Sequence, residues 1–70
     1  MNIIFTKHAE YRIIKRKLLQ DDVINAIKFP DKIIKKHGKY YYQKNLGRGI
    51  IEICCERTEN NIKIITIYWI

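Results

Sequence analysis

The sequence predicts an α+β fold in which a short N-terminal strand and two helices precede an antiparallel meander of three to four strands. Between residues 7 and 28, apolar side chains recur every three or four positions, which is the spacing of an amphipathic helix. After residue 31, short runs with the two-residue period of strands are separated by turns rich in Gly and Asn. The length of 70 residues predicts a single domain, 1–70.

The first helix is predicted from its start signal and its apolar face. Asn2 to Phe5 is a short apolar run that favours a strand. Thr6 follows, and a threonine hydroxyl in this position can cap the free amides of a helix start. We therefore predict a helix from Lys7 to about Lys17, with a bend at residues 18–20. Its apolar face consists of Ala9, Ile13, Ile14 and Leu18.

The second helix is predicted from about Asp21 to Lys28. Asp21 and Asp22 place negative charge at the positive end of the helix dipole. Pro30 ends the helix because the residue before a proline resists helical angles. The buried side consists of Val23, Ile24, Ala26 and Ile27.

Four later segments have the strand pattern, and the first of them is short: Lys32–Lys36, Lys39–Lys44, Gly49–Arg57 and Ile62–Ile70. Alternation in the third segment places Ile51, Ile53 and Cys55 on one face, which we predict meets the helices. The opposite face carries Ile50, Glu52, Cys54 and Glu56. The last segment is apolar on both faces, as expected of a central strand.

Cys54 and Cys55 are interpreted as small apolar side chains of a strand. Neighbouring strand residues point to opposite faces, so a disulfide between the two is geometrically unfavourable. A zinc site that combines them with His8 and His37 lacks the ligand spacing of known zinc motifs. We predict no metal and no cofactor.

The formal net charge is +7, and its distribution is uneven. Residues 1–48 contain twelve Lys or Arg against four Asp or Glu, whereas residues 49–70 contain two against three. Such an excess favours nucleic acid, including RNA or the ribosome, or an acidic partner protein. A solvated surface without a partner is the alternative.

The sequence contains no segment that predicts a signal peptide or a membrane span. The longest apolar run, Ile64 to Ile70, is far shorter than a bilayer requires and includes Thr66. We therefore expect a cytoplasmic location and no membrane partner. A homodimer is also compatible with the sequence, because exposed edge strands can pair with a second copy of the chain.

The first helix carries a basic stripe, because His8, Arg12, Lys15 and Arg16 fall within one sector at 100° per residue. His8 is a candidate general acid or base, since imidazole titrates near neutrality, and a structural hydrogen bond is its alternative role. The arginines are candidates for phosphate contacts. Their alternative is salt bridging to Glu52, Glu56 or Glu59.

Three consecutive tyrosines, Tyr40, Tyr41 and Tyr42, lie between Lys39 and Lys44. Aromatic rings between lysines can stack on bases while the cations hold phosphates, which makes Lys39, Tyr41 and Lys44 candidate nucleic-acid contacts. Tyrosines are also ordinary strand residues. Because Tyr41 points away from the face that its two neighbours share, we expect its burial to differ from theirs.

Together, these features resemble a family of small prokaryotic domains of unknown function that is distantly grouped with the RelE/ParE-type and BrnT toxins. The resemblance covers nearly the whole chain and implies a RelE-like fold. It is carried by Thr6, His8 and Ala9 with Arg12 and Arg16, by Asp22-Val23, by Pro30, by Gly47-Arg48 and by Ile65 to Tyr68.

The resemblance implies a toxin-like, RNA-targeting protein, and specifically a metal-independent endoribonuclease acting on mRNA. In such cleavage the RNA 2′-hydroxyl attacks the adjacent phosphate, so the enzyme must stabilise negative charge and move two protons. The resemblance assigns the phosphate to Arg48, which alternation places on the face of Ile50 and Glu52, away from the helices. His8 or Tyr68 would move protons; RelE-type enzymes carry a tyrosine beyond the last strand, and Tyr68 is the nearest to that position.

Two other functions remain open. The chain can be a non-catalytic basic module that binds nucleic acid, or its basic surface can dock an acidic, antitoxin-like protein.

Overall fold

The computed structural model describes residues 2–70 and confirms the predicted α+β fold, with two helices and a five-stranded sheet. The predicted domain limits also include Met1, which lies outside the described residues. The elements are β1 (Asn2–Phe5), α1 (Lys7–Lys15), α2 (Gln20–Lys28), β2 (Lys32–Lys36), β3 (Lys39–Asn45), β4 (Ile50–Arg57) and β5 (Asn61–Trp69).

The strands follow the order β1-β5-β4-β3-β2 across the sheet. The last four strands of the chain form an antiparallel meander, because β2 pairs with β3, β3 with β4 and β4 with β5. β1 joins the sheet beside β5 in parallel, with Ile3 opposite Ile62. The last strand is therefore an interior strand, in agreement with the central position that its sequence predicts.

The hairpin between β2 and β3 has a two-residue turn, His37-Gly38. Both turn residues have positive φ, 54° and 73°, as the type I′ turn of a tight hairpin requires. Glycine tolerates this backbone without steric cost. The turn fixes the register in which Ile34 lies opposite Tyr41.

Thr6 caps α1 and also ties it to the sheet. Its hydroxyl oxygen accepts a hydrogen bond from the Ala9 amide at 3.1 Å, which confirms the predicted cap. The same hydroxyl donates to the Ile64 carbonyl oxygen of β5 at 2.8 Å. One side chain therefore fixes where the helix begins and which strand it lies on.

The end of α1 differs from the prediction, because the helix stops at Lys15 rather than near Lys17. The Leu18 amide donates to the Ile13 carbonyl and the Lys17 amide to the Ile14 carbonyl, at 2.9 and 3.1 Å. This is the Schellman pattern, which requires a left-handed residue after the cap. Lys17 takes that conformation, with φ 58°, so that Leu18 can turn back into the core.

The second helix begins one residue earlier than predicted, at Gln20. The Asp22 carboxylate accepts a hydrogen bond from the Leu19 amide at 2.9 Å, so Asp22 has the predicted helix-start role. The Phe29 amide closes the last turn on the Asn25 carbonyl at 2.8 Å. The helix ends at Lys28, as predicted, and its cap residue Phe29 precedes Pro30.

The two helices cover one face of the sheet and enclose the core there. The predicted inward set of β4, Ile51, Ile53 and Cys55, is fully buried and forms the centre of this core. Burial raises the pKa of the Cys55 thiol to about 12, so this thiol stays protonated at physiological pH. Both cysteines are free. The other core residues are Ala9, Ile13, Leu18, Val23, Ala26, Ile27, Tyr42, Ile62, Ile64 and Ile67.

Ile14 does not join the core, although helical spacing places it on the apolar face of α1; its side chain is 77% exposed. Helix α1 packs on β5 and β1, and its outer side is not covered by another element of the described chain. It therefore buries only a narrow stripe of side chains. The rest of its surface, including the basic stripe, faces solvent.

A bulge in β5 changes the face to which its side chains point. Cys54 pairs with Thr66, but Cys55 pairs with Ile64, so Ile65 is an extra residue. Before the bulge, Ile62 and Ile64 point to the helices; after it, Ile67 does. Strict alternation would have turned Ile67 outwards. The shift is why the strand is apolar at both odd and even positions.

The face of the sheet opposite the helices carries Tyr41, Glu52 and Tyr68, and each of these side chains is half-buried. Tyr42 is buried on the helix side and Tyr40 is half-buried there. Tyr41 therefore differs in burial from Tyr42, as expected. It does not differ from Tyr40, which is also half-buried, so the expectation is wrong for that neighbour. The reason is that β3 lies near the sheet edge, where α2 covers Tyr42 but leaves Tyr40 open.

None of the helices formed by residues 2–70 is long and apolar enough to cross a membrane.

We expect Lys17→Gly to stabilise the protein by about 1 kcal/mol, because glycine adopts a positive φ without the steric cost that lysine pays. For a domain of this size, the melting temperature should rise by about 4–8 °C. The control is Lys15→Gly in the last helical turn, which should lower stability by about 0.5–1 kcal/mol. If both variants are destabilised equally, the backbone at Lys17 carries no strain.

Candidate nucleic-acid interface

The exposed side of α1 carries a row of basic side chains that continues into the loop before β4. His8, Arg12 and Arg16 succeed one another at four-residue spacing and so lie on one line along the helix. Lys15 lies beside them, with its Nζ 5.7 Å from the ring centroid of Tyr11. With Arg48 these residues form what we call the basic surface: His8, Arg12, Lys15, Arg16 and Arg48.

Arg12 contacts His8 directly, because its Nε donates to the His8 Nε2 at 3.2 Å. In this arrangement Nε2 accepts a hydrogen bond and carries no proton. His8 is exposed to solvent, so the imidazole is accessible to a ligand. A neutral imidazole next to a guanidinium combines a proton acceptor with an anion-binding group.

Arg12 and Arg16 form no ion pair with a carboxylate among the described residues. The salt bridges there join Lys39 to Glu56, Lys44 to Asp31 and Arg48 to Asp22. The alternative role of the two α1 arginines, salt bridging to glutamates of the sheet, is therefore wrong. Both guanidinium groups can accept an external anion without breaking an existing ion pair.

Arg48 does not lie where strand alternation places it. Strand β4 begins only at Ile50, so Arg48 belongs to the turn before it. Its guanidinium donates to the Asp22 Oδ2 at 3.1 Å and lies 5.6 Å from the Trp69 ring. The predicted position on the face of Glu52, away from the helices, is wrong because alternation does not extend into a turn.

Trp69 connects α1, the β3–β4 turn and the sheet. Its indole Nε1 donates to the Arg16 carbonyl at 3.1 Å, at the end of α1. A Cβ on Gly49 would come within 2.9 Å of the Trp69 ring, so only glycine permits this close approach. This role of Trp69 does not follow from the local sequence pattern. The available signal was a glycine next to Arg48 in a strand-entry turn.

Tyr68 lies on the opposite face of the sheet from His8 and Arg48. It pairs across the strands with Glu52. Burial raises the pKa of the Tyr68 hydroxyl, and the nearby charge of Glu52 raises it further. The structure therefore brings two of the three predicted catalytic residues to the helix side and separates the third from them.

The predicted aromatic and lysine contacts of β3 are also divided between the faces. Lys39 lies near Glu56, with its Nζ 3.9 Å from the carboxylate, and Tyr41 lies opposite Cys54. Contact with Cys54 raises the pKa of the Tyr41 hydroxyl. Lys44 instead points to the helix side, where its Nζ is 3.7 Å from Asp31. The three residues do not form one continuous surface.

A groove on the open face of the sheet, which we call the sheet groove, was not foreseen from the sequence. Its volume is about 390 Å³, and it is lined by Ile34, Lys36, His37, Tyr41, Gln43 and Glu52. The Gln43 amide donates to the Glu52 carboxylate at 3.4 Å. In the sequence, only a charged residue, Glu52, in an otherwise apolar stretch of β4 pointed to this groove. The residue that lies opposite Glu52 depends on the strand register, which local spacing does not fix.

Between Asn2 and Ile70, no three His, Cys, Asp or Glu side chains are grouped closely enough to hold a metal ion.

The fold and the basic surface thus define a small α+β domain with a basic helix face. The chain belongs to the family described as Domain of unknown function (DUF4258), whose model matches residues 5–69. No curated protein and no solved structure matches the chain.

We expect Trp69→Phe to lower the free energy of unfolding by about 1–3 kcal/mol, because it leaves the Arg16 carbonyl without its indole donor and removes ring volume. Urea denaturation measures this difference. The control, Tyr11→Phe, alters an exposed aromatic residue and should change stability by less than about 0.5 kcal/mol. Equal stability of the two variants would contradict the role of Trp69 in holding α1.

Proposed function

We propose that this protein is a toxin-like, RNA-targeting protein that holds RNA phosphates on its basic surface. The observation that carries the proposal is the absence of any carboxylate partner for Arg12 and Arg16 in the described part of the chain. Two unpaired guanidinium groups one helical turn apart can each bind a phosphate oxygen pair. The net charge of +7 adds a general attraction to polyanions.

We further propose that the fold is RelE-like. Two helices on one face of an antiparallel meander, preceded by a short strand, support this assignment. The motif residues of the resemblance also support it, since Thr6 caps α1 and Asp22 stabilises the start of α2. The fold does not by itself assign a function, so the proposed roles rest on the residues of the basic surface.

The proposed reaction is cleavage of mRNA by attack of a ribose 2′-oxygen on the adjacent phosphorus. Arg12 would move from His8 to the phosphate and stabilise the charge that develops there. The freed His8 Nε2 would accept the proton of the 2′-hydroxyl. As the phosphorus bond to the 5′-oxygen breaks, water protonates this leaving oxygen. Tyr68 has no place in this scheme, because it faces away from His8.

A non-catalytic module that binds RNA or an acidic, antitoxin-like protein is the second candidate. The specific observation in its favour is the separation of Tyr68 from His8 and Arg48 by the sheet. In addition, Arg48 is already paired with Asp22. Arg16 is then the remaining arginine that can join Arg12 at the reacting phosphate. This arrangement supports binding without requiring catalysis.

We expect purified protein to bind single-stranded RNA with an affinity that falls as salt is raised, and Arg12→Gln/Arg16→Gln to weaken that binding. Each lost phosphate contact should reduce the slope of log affinity against log salt by about 0.7. Fluorescence anisotropy with a labelled RNA measures the slope. The control is Lys32→Gln/Lys63→Gln, which removes the same charge from exposed positions outside the basic surface.

If both double variants reduce the slope equally, the attraction is a property of the net charge and not of α1. If only the α1 variant reduces it, the phosphates lie on the basic surface.

We expect induced expression of the wild type to slow growth and to leave discrete cuts in mRNA. His8→Ala should abolish the cuts, because it removes the proposed proton acceptor, whereas Tyr68→Phe should retain them. RNA profiling of cultures that contain equal amounts of soluble protein measures both effects. If the wild type leaves RNA intact, catalysis is excluded and the binding module is the remaining function; if Tyr68→Phe alone abolishes the cuts, the proposed role of His8 is wrong.

A further inference from the structure

The sheet groove contains a carboxylate that no cation in the described chain neutralises. Glu52 is half-buried at the middle of β4, and none of the salt bridges between residues 2 and 70 includes it. Gln43 donates to it at 3.4 Å, which is a long distance for such a bond, and the Tyr68 hydroxyl on the neighbouring strand is its other polar neighbour. The carboxylate therefore retains acceptor positions for a ligand.

One wall of the groove is aromatic. The Tyr41 ring is held between neighbouring strands, since Tyr41 pairs with Ile34 on β2 and with Cys54 on β4. Cys54 lies on the same face of the sheet as Tyr41 and is only 7% exposed. Tyr41 thus contributes to the groove an aromatic ring of the kind on which a flat heterocycle stacks.

Positive charge lies at the rim. Lys36 and His37 line the groove at the β2–β3 turn, and Lys36 forms no ion pair among the described residues. The lining of the groove therefore combines a carboxylate, an aromatic ring and a cation. Its volume of about 390 Å³ is in the range of small-molecule sites, about 300–1,000 Å³.

We infer that the sheet groove binds a guanine nucleotide, with the guanine base on Glu52. The Watson–Crick edge of guanine presents two adjacent donors, N1–H and the N2 amino group, which match the two oxygens of a carboxylate. Adenine and cytosine each place an acceptor beside their amino group, so their lone pairs would face the negative charge of Glu52. Tyr41 stacks on the base and Lys36 attracts the phosphate.

The ligand can be a free guanine nucleotide or a guanine in a single RNA strand, because both present the same edge and a phosphate. This inference goes beyond the proposed function and does not rest on it. The groove lies on the face of the sheet opposite α1, so Arg12→Gln/Arg16→Gln should leave guanine binding unchanged. Loss of RNA binding in that variant and loss of guanine binding are therefore separate results.

The test is an NMR titration of the ¹⁵N-labelled full chain with GMP, IMP, AMP and CMP. GMP should shift the amide signals of Tyr41, Gln43 and Glu52 in a saturable manner. We expect it to bind about tenfold more tightly than AMP or CMP, as for other bidentate base contacts. IMP lacks the N2 amino group and should bind more weakly than GMP.

Glu52→Gln should remove the preference for GMP, because an amide replaces one carboxylate oxygen with a donor. The matched control is Glu56→Gln, which makes the same change of charge on the same strand and face, outside the groove lining. This control should retain the preference. Amide spectra of both variants without ligand show whether the fold is intact.

A second titration uses oligoadenylate with and without one central guanine. Groove shifts that depend on this guanine identify RNA as a source of the ligand, and groove shifts with GMP alone identify the free nucleotide. The inference is overturned if all four nucleotides bind equally, if Glu56→Gln loses the preference as Glu52→Gln does, or if the shifts caused by GMP map to α1 and not to the groove. It is also overturned if neither GMP nor the guanine-containing strand shifts the groove signals.

Discussion

The extra residue in β5 decides which side chains reach which face of the sheet. Because Ile65 is bulged, Trp69 points to the helices and can donate its indole N–H to the Arg16 carbonyl. For the same reason Tyr68 points to the open face beside Glu52. Without the bulge, the two aromatic side chains would exchange faces. The end of α1 would lose its attachment to the sheet, and a bulky hydroxyl would enter the core.

The sheet separates two surfaces of different chemistry. On the helix side, Ala9 and Ile13 of α1 enter the core, and the half-buried Arg12 and Arg16 have no carboxylate partners in the described chain. On the open side, Glu52 lies without a cation beside the ring of Tyr41. An unpaired cation and an unpaired anion on one small domain favour different ligands. The two surfaces can therefore be altered independently.

The close packing around Trp69 links the helices to the loop that carries Arg48. The ring is confined between the Gly49 backbone and the Arg48 guanidinium, which is held in turn by the start of α2 through Asp22. Asp22 also accepts the Leu19 amide, so one carboxylate stabilises a helix and orients an arginine. Arg48 is thus held by a carboxylate, whereas Arg12 and Arg16 have no carboxylate partner among the described residues.

The sequence by itself determined the α+β class, the order of the elements and the inward face of β4, because these follow from local periodicity, caps and turn residues. The basic row of α1 was also predictable, since residues four apart on a helix are neighbours. Only the tertiary structure decided the face of Arg48, the sites of Tyr68 and Trp69, and the pairing of Gln43 with Glu52. Each of these depends on a bulge, a turn or a strand register, which contacts between distant segments fix and local spacing does not.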